Sequence, residues 1–290
     1  MIYVPDNPAA WVLIFITGSV IGSFLNVVIY RWPRCESIVT PPSHCGSCGA
    51  RLTGVDMVPV LSYVLLGGRC RHCHHSYSPR YAVVEALTGL LLLGCVGNFA
   101  LSWYALGVFV VGCCLLLAFF IDLDHMIIPD ELVAIIAAVG IGINLVDLLH
   151  DVTGVTGGQE ATHALRFAQE IGGQPHSLLL PSSIVGLCLG AAAFWSVSWV
   201  FERVFGKPVL GFGDVKLAAG MGAFFGPGYL FVAWCLLSVV VGAVVSVFLL
   251  VTGIRKRGDY IPFGPMLAAG GVVLMLYPAL GGWILSLYGG

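Results

Sequence analysis

Long apolar runs recur along the chain, and short polar stretches separate them. The first run, Ala10 to Tyr30, is about 21 residues, enough to cross roughly 30 Å of hydrocarbon as a helix. Residues 31–81 then turn polar, rich in Arg, Pro, Gly, Ser, Cys and His. From Ala86 to Ile121 there is no Asp, Glu, Lys or Arg. One helix over that stretch would be about 54 Å long, too long for a bilayer. Gly97-Asn98 reads as the turn that divides it, giving spans near 82–97 and 100–121. A fourth span follows Pro129-Asp130, over about 131–149, and a fifth covers about 180–202. Leu217 to Ile254 is again free of charge and is broken by Gly226-Pro227-Gly228. Two spans fit there only if the first begins near Phe212. The last runs over about 262–287. The pattern predicts an all-α polytopic membrane protein with about eight transmembrane helices. Its expected parts are a first span (1–30), a small polar domain (31–81) and a seven-span membrane domain (82–290).

Composition supports this reading. The chain has 290 residues, 58% of them hydrophobic and only 10% charged, with a mean hydropathy of +0.96. A soluble domain carries about 25% charged residues. There is no basic tract beyond Arg255-Lys256-Arg257, so nucleic acid is not an expected partner; membrane lipids are. Asp6 but no Lys or Arg precedes the first run, so it is read as a retained span, not a signal peptide. Placing 31–81 in the cytoplasm puts every Lys and Arg except Arg166 at or beside that face. Glu85, Asp122 and Asp214 fall on the same side, and both termini fall outside. Residues 150–179 form a polar loop on the opposite face, whose three histidines are too irregularly spaced to indicate a metal site.

Two constellations carry chemistry. Cys45-Gly46-Ser47-Cys48 and Cys70-Arg71-His72-Cys73 are paired Cys-x-x-Cys motifs with the spacing of a structural zinc site. Four thiolates make a closed tetrahedral shell, and a domain this small gains folding energy from such a metal. A reducing cytoplasm favours metal over disulfides. A redox site or simple core cysteine pairs are the plainer readings. Cys35, Cys95, Cys113, Cys114, Cys188 and Cys235 are left over, and all but Cys35 lie in apolar spans as packing residues.

The second constellation is acidic. Gly211-Phe212-Gly213-Asp214-Val215-Lys216 opens one span, and Ile121-Asp122-Leu123-Asp124 closes another. Carboxylates at span mouths are costly without a partner or a task. A close pair does not ionise both members cheaply, so one can activate water while the other protonates a carbonyl. Ordinary interfacial charge is the plainer reading. Gly211 and Gly213 argue for a close backbone approach beside Asp214. Asp122 and Asp124 point in different directions on a helix, and spacing alone leaves open which one meets Asp214. Lys216 is a candidate for headgroup or substrate contact. Asp130 suits a helix start. Asn26 needs a partner inside the bundle. Glu85 can pair with arginine, cap a helix or join a site.

These motifs resemble those of the prepilin peptidase family, the type IV leader peptidases, and in particular their bifunctional bacterial members. Gly22-Ser23-Phe24-Leu25-Asn26 through Arg31 is similar to the family's first-span motif. Pro41-Pro42-Ser43, the tetracysteine region, and Ser78-Pro79-Arg80-Tyr81 through Glu85 resemble its cytoplasmic domain. Ile121 to Asp124 with Ile128-Pro129-Asp130, and Gly211 to Lys216, resemble its two catalytic blocks, and Phe263-Gly264-Pro265 a late motif. Ala82 departs from an expected proline, and loop 150–179 is longer than expected. The resemblance implies a bacterial inner-membrane enzyme. Such an enzyme cleaves the basic leader of type IV prepilins or type II secretion pseudopilins after a glycine, at the cytoplasmic face. It implies Asp122 and Asp214 as the catalytic pair, structural zinc on Cys45, Cys48, Cys70 and Cys73, and N-methylation with S-adenosylmethionine. For that second activity Glu85 and Asn26 are the candidate cofactor-binding residues. Two other readings are a presenilin-like or signal-peptide-peptidase-like aspartic protease, and a non-enzymatic transporter or zinc-stabilised scaffold. The tetracysteine insert argues against the first. The placement of the acids at span ends, not mid-membrane, argues against a transporter.

Overall fold

The structure is a computed structural model. It describes residues 7–153, 182–206, 210–254, 256 and 261–286, with side chains at 147–153 and 205 excepted. The loop expected at 150–179, with its histidines, therefore falls almost wholly outside the described residues. The described chain is helical: α1 (Pro8–Arg31), a short α2 (Leu61–Leu65), α3 (Arg80–Phe99), α4 (Trp103–His125), α5 (Asp130–Thr153), α6 (Ser182–Phe205), α7 (Phe212–Phe225), α8 (Tyr229–Val251), α9 (Gly264–Leu276) and α10 (Pro278–Ser286). Each segment expected to span coincides with one of these helices or, at the C-terminal end, with a pair. Among the described residues, five helices are long and apolar enough to cross a membrane: α1, α3, α4, α6 and α8. The count is six if α9 and α10 form one broken span. The expected all-helical, multi-span architecture is what the described residues show. Within it α7 is short: its 14 residues rise only about 21 Å.

Two boundaries differ from the sequence reading. Gly97 and Asn98 stay helical, and the break falls at Ala100, whose φ is 52°. Ser102 then starts α4, its hydroxyl accepting from Ala105 N–H at 3.1 Å. The N-cap serine sets this boundary, and Gly-Asn is tolerated in the preceding helix. The C-terminal segment is not one helix: α9 and α10 bend by 106°. Pro278 has no N–H to continue α9 and pushes Tyr277 out of the helical region.

Packing divides the chain into two compact units, residues 1–101 and 102–290. In the first, α1 and α3 meet through small residues. A Cβ on Gly18 would lie 2.8 Å from Thr88 O, and one on Gly22 would lie 2.8 Å from the Glu85 Cα. That approach is what Gly18, Ser19 and Gly22 at helical spacing foretell. Asn26 finds its partner here: its amide donates to Tyr81 O at 3.0 Å. Arg31 is buried at the end of α1 and donates to Ser37 O and Pro41 O at 2.9 and 2.7 Å. It thereby fixes how the polar segment leaves the helix.

In the second unit, α7 lies against both α5 and α6. A Cβ on Gly186 of α6 would sit 2.0 Å from Gly222 O, one on Gly190 2.3 Å from Ala218 O, and one on Gly140 of α5 2.6 Å from Ala223 O. Leu217, Ala218, Met221 and Ala223 of α7 are fully buried. The indole of Trp234 on α8 donates to Leu267 O of α9 at 2.9 Å. By contrast α6 and α8 leave Trp195, Val200, Val244 and Phe248 exposed, as suits helices that face lipid.

Candidate active site and metal centre

Asp122 lies in the last turn of α4, where a negative charge opposes the helix dipole. Met126, in the left-handed conformation, ends that helix, its N–H donating to Asp122 O. The Asp122 carboxylate accepts a hydrogen bond from the backbone N–H of Gly264, at the start of α9. A helix N-terminus thus offsets what the α4 C-terminus disfavours. Asp214 sits in the first turn of α7, where a carboxylate is favoured. Its Oδ2 accepts from Gly211 N–H at 3.2 Å. The two carboxylates are buried, 6% and 7% exposed, and close enough for the charge of Asp122 to act on Asp214.

Glycine makes this possible. A Cβ on Gly264 would lie 2.5 Å from Asp122 Oδ2 and 3.1 Å from Ile128 Cδ1. A Cβ on Gly213 would lie 3.2 Å from the Cβ of the same Ile128. Ile128 is therefore a wedge against the glycine before Asp214 and the glycine that donates to Asp122. Gly264 stands out in sequence only as the centre of Phe-Gly-Pro, with no role attached, and Ile128 only as a residue before a helix start. Nothing local distinguishes either one, because both act by contact with distant segments.

The other acids separate from this pair. Asp124 is exposed. Asp130 opens α5, as expected, and takes Lys216 Nζ at 2.5 Å, while Lys216 also lies 4.7 Å from the centre of the Phe212 ring. Lys216 thus ties α7 to the start of α5.

In the first unit the four cysteines converge. The sulfurs of Cys45, Cys48, Cys70 and Cys73 lie within 4.8 Å of one another and could hold one metal ion. Cys45 and Cys73 sulfurs are 3.9 Å apart, near the roughly 3.8 Å edge of a tetrahedron with 2.3 Å metal–sulfur bonds. Each Cys-x-x-Cys forms the same turn. Cys45 N donates to Ala50 O and Gly49 N to Cys45 O; Cys70 N donates to His75 O and His74 N to Cys70 O, all at 2.9 Å. Gly49 and His74 both take the left-handed conformation in these turns. Backbone N–H groups of Cys48, then of Ser47, hold the Cys45 thiol down to about 6, while, against the backbone N–H of His75, burial and the neighbouring cysteine sulfurs push the Cys73 thiol up to about 11, so the four sulfurs titrate together. Asp56 braces the loop between the turns: its carboxylate accepts from the Thr53 hydroxyl at 2.6 Å and from Arg71 Nε at 2.8 Å.

Asn26 and Glu85 both line a cavity of about 710 Å³ in this unit. Glu85 is 8% exposed and accepts from Val60 N–H at 2.8 Å and from the Ser23 side chain.

Known proteins match both units. The profile of the bacterial peptidase A24 N-terminal domain matches residues 16–99, and that of the type IV leader peptidase family matches residues 109–247. A prepilin leader peptidase/N-methyltransferase of Pseudomonas aeruginosa is 31% identical, across 95% of this chain and 93% of its own. One from Aeromonas hydrophila is 32% identical, across 91% and 90%. A type 4 prepilin-like proteins leader peptide-processing enzyme of Escherichia coli is 33% identical, across 94% and 96%. No solved structure matches significantly.

Proposed function

This chain belongs to the type IV leader peptidase family, and from that premise we propose that it cleaves the basic leader of type IV prepilins or type II secretion pseudopilins after a glycine, then N-methylates the new N-terminus with S-adenosylmethionine. The observation that carries the peptidase reading is the buried, interacting pair Asp122 and Asp214, each facing a backbone N–H at a helix start. In this reading one carboxylate takes a proton from water as the water oxygen adds to the scissile carbonyl carbon. The other carboxyl gives its proton to the carbonyl oxygen. Collapse breaks the C–N bond, and the leaving nitrogen departs with a proton as the amine of the mature pilin. No covalent intermediate forms.

The chain would work in the bacterial inner membrane, with both termini periplasmic and residues 31–81 in the cytoplasm. A prepilin's apolar helix would lie in the bilayer and its basic leader at the cytoplasmic surface, near anionic headgroups. Its junction would then reach the depth of the acids through a cleft open to lipid. Zinc, held by Cys45, Cys48, Cys70 and Cys73, would close the polar domain and take no part in either reaction. When bound, S-adenosylmethionine supplies a methyl group on a sulfonium. The chain's task in that second step is to hold the donor while the amine lone pair forms the new N–CH₃ bond, the C–S electrons stay with sulfur, and a proton leaves nitrogen.

The test is mass spectrometry of a synthetic prepilin incubated in detergent with the protein and S-adenosylmethionine, beside Asp122→Asn and Asp214→Asn. Loss of the leader plus one methyl group, absent with both variants, supports the two-step reading. Cleavage that persists in both variants overturns the assignment of the pair. An uncut prepilin with folded, zinc-loaded wild-type protein overturns the substrate.

A further inference from the structure

We infer that Phe263 and Gly242 are positioning residues for the peptidase reaction: the Phe263 ring, seated on the backbone of α8 at Gly242, aims the Gly264 N–H at Asp122. The inference rests on the peptidase reading above and extends the acid site to a helix that carries no acid. α8 has no Asp, Glu, Lys or Arg. Its buried residues include Trp234, Ser238 and Gly242, which stand four apart and so share one face. That face meets α9.

Gly264 is the first residue of α9, and its amide has no partner within the helix. Pro265 follows it and has no N–H, so of these two positions only Gly264 can donate outward. The Asp122 carboxylate takes that bond. Where the N–H points depends on the residue before it. Phe263 caps α9: its carbonyl accepts from the N–H groups of Met266 and Leu267 at 3.0 and 3.2 Å. A Cβ on Gly242 would stand 3.0 Å from Cε2 and 3.4 Å from Cδ2 of the Phe263 ring. Glycine at 242 therefore lets the ring edge rest on helix backbone, a seat with no rotamers of its own. Further along α9, Trp234 donates to Leu267 O at 2.9 Å, and a Cβ on Gly270 would lie 2.7 Å from Ser238 Oγ. Three contacts on one face of α8 thus fix α9, and the Phe263 seat is the one beside the donor. A hydrogen bond holds a carboxylate in place only if its donor is itself held.

The test is steady-state cleavage of a synthetic prepilin by the full chain in detergent. Gly242→Ala pushes the ring off its seat, and Phe263→Leu leaves the seat part empty. Each should lower kcat roughly tenfold with KM nearly unchanged, because a shift of a fraction of an ångström reaches the acid and not the substrate contacts. In the double variant the added methyl fills space that the ring gave up, and kcat should return to within about threefold of the unaltered chain. Val244→Ala, on the exposed face of α8, should change neither constant. If Gly242→Ala does not fold, Phe263→Leu decides alone, since it only removes atoms and crowds nothing. Unchanged kcat in the single variants, a rise in KM with kcat intact, or a double variant whose loss is the product of the two single losses would overturn the positioning role. Each of these leaves the peptidase reading standing. A folded, zinc-loaded, unaltered chain that does not cut the prepilin would overturn the peptidase reading itself.

Discussion

The two units build their sites in opposite ways. In the first, the cysteine cluster comes from two short local motifs, each closing its own hydrogen-bonded turn before any metal is considered. In the second, the carboxylate pair is assembled from the ends of α4 and α7, with α9 supplying the N–H that faces Asp122. A local site tolerates change elsewhere and fails when a ligand is lost. An assembled site also fails when the spacing between elements changes by one methyl group. Experiments can test this contrast at several magnitudes.

The largest effect should follow from Asp122→Asn or Asp214→Asn. Each should lower prepilin cleavage by roughly a thousandfold or more, the scale of losing a general acid or base. Zinc content, measured by atomic absorption, should stay at one per chain, because the cysteines form their cluster within the other unit. Loss of zinc in these variants would break the comparison.

Cys45→Ser or Cys70→Ser should next remove the metal and expose residues 44–76 to limited proteolysis, since closed zinc sites of this kind contribute folding energy directly. Methyl transfer should fall with the domain, and a strong chelator should reproduce the effect on the unaltered protein. Cleavage should fall much less than methylation.

Gly264→Ala sharpens the contrast most, because it adds one carbon and removes no functional group. That carbon would lie 2.5 Å from Asp122 Oδ2 and 3.0 Å from its Cγ, so the carboxylate must move. Cleavage should drop by about a hundredfold, the cost of roughly an ångström of misplacement, with thermal stability and zinc content little changed. Gly46→Ala, in the cysteine turn, meets no atom within 4 Å and should leave both activities near normal.

The smallest effect is acidic. Thr53, then Arg71, holds the Asp56 carboxyl below its ordinary 3.8. The folded state thus binds this proton less readily than the unfolded chain. The stability gained is complete above about pH 4 and declines as pH falls through the folded value. Proteolytic resistance of residues 44–76 should therefore fall less on acidification in Asp56→Asn than in the unaltered protein, from a lower starting point. Identical acid profiles would remove Asp56 as a brace.

By itself the sequence determined a great deal. Apolar runs without charge must be helices that shield their backbone, so the segments could be located from composition alone. The two Cys-x-x-Cys motifs announced the four-cysteine cluster because cysteines three residues apart share one turn. Gly18, Ser19 and Gly22 announced a close helix pair, and the acids at Asp122 and Asp214 were conspicuous because charge is scarce there. Tertiary structure decided what depends on distance between segments. It set Gly264 against Asp122, wedged Ile128 between the two glycine backbones, and paired Lys216 with Asp130. It buried Glu85 in a cavity with three tyrosines that no spacing rule connects. It also placed the break at Ala100 and bent the chain at Tyr277. Periodicity records which residues avoid water, but it does not record which remote backbone comes close enough to donate a hydrogen bond.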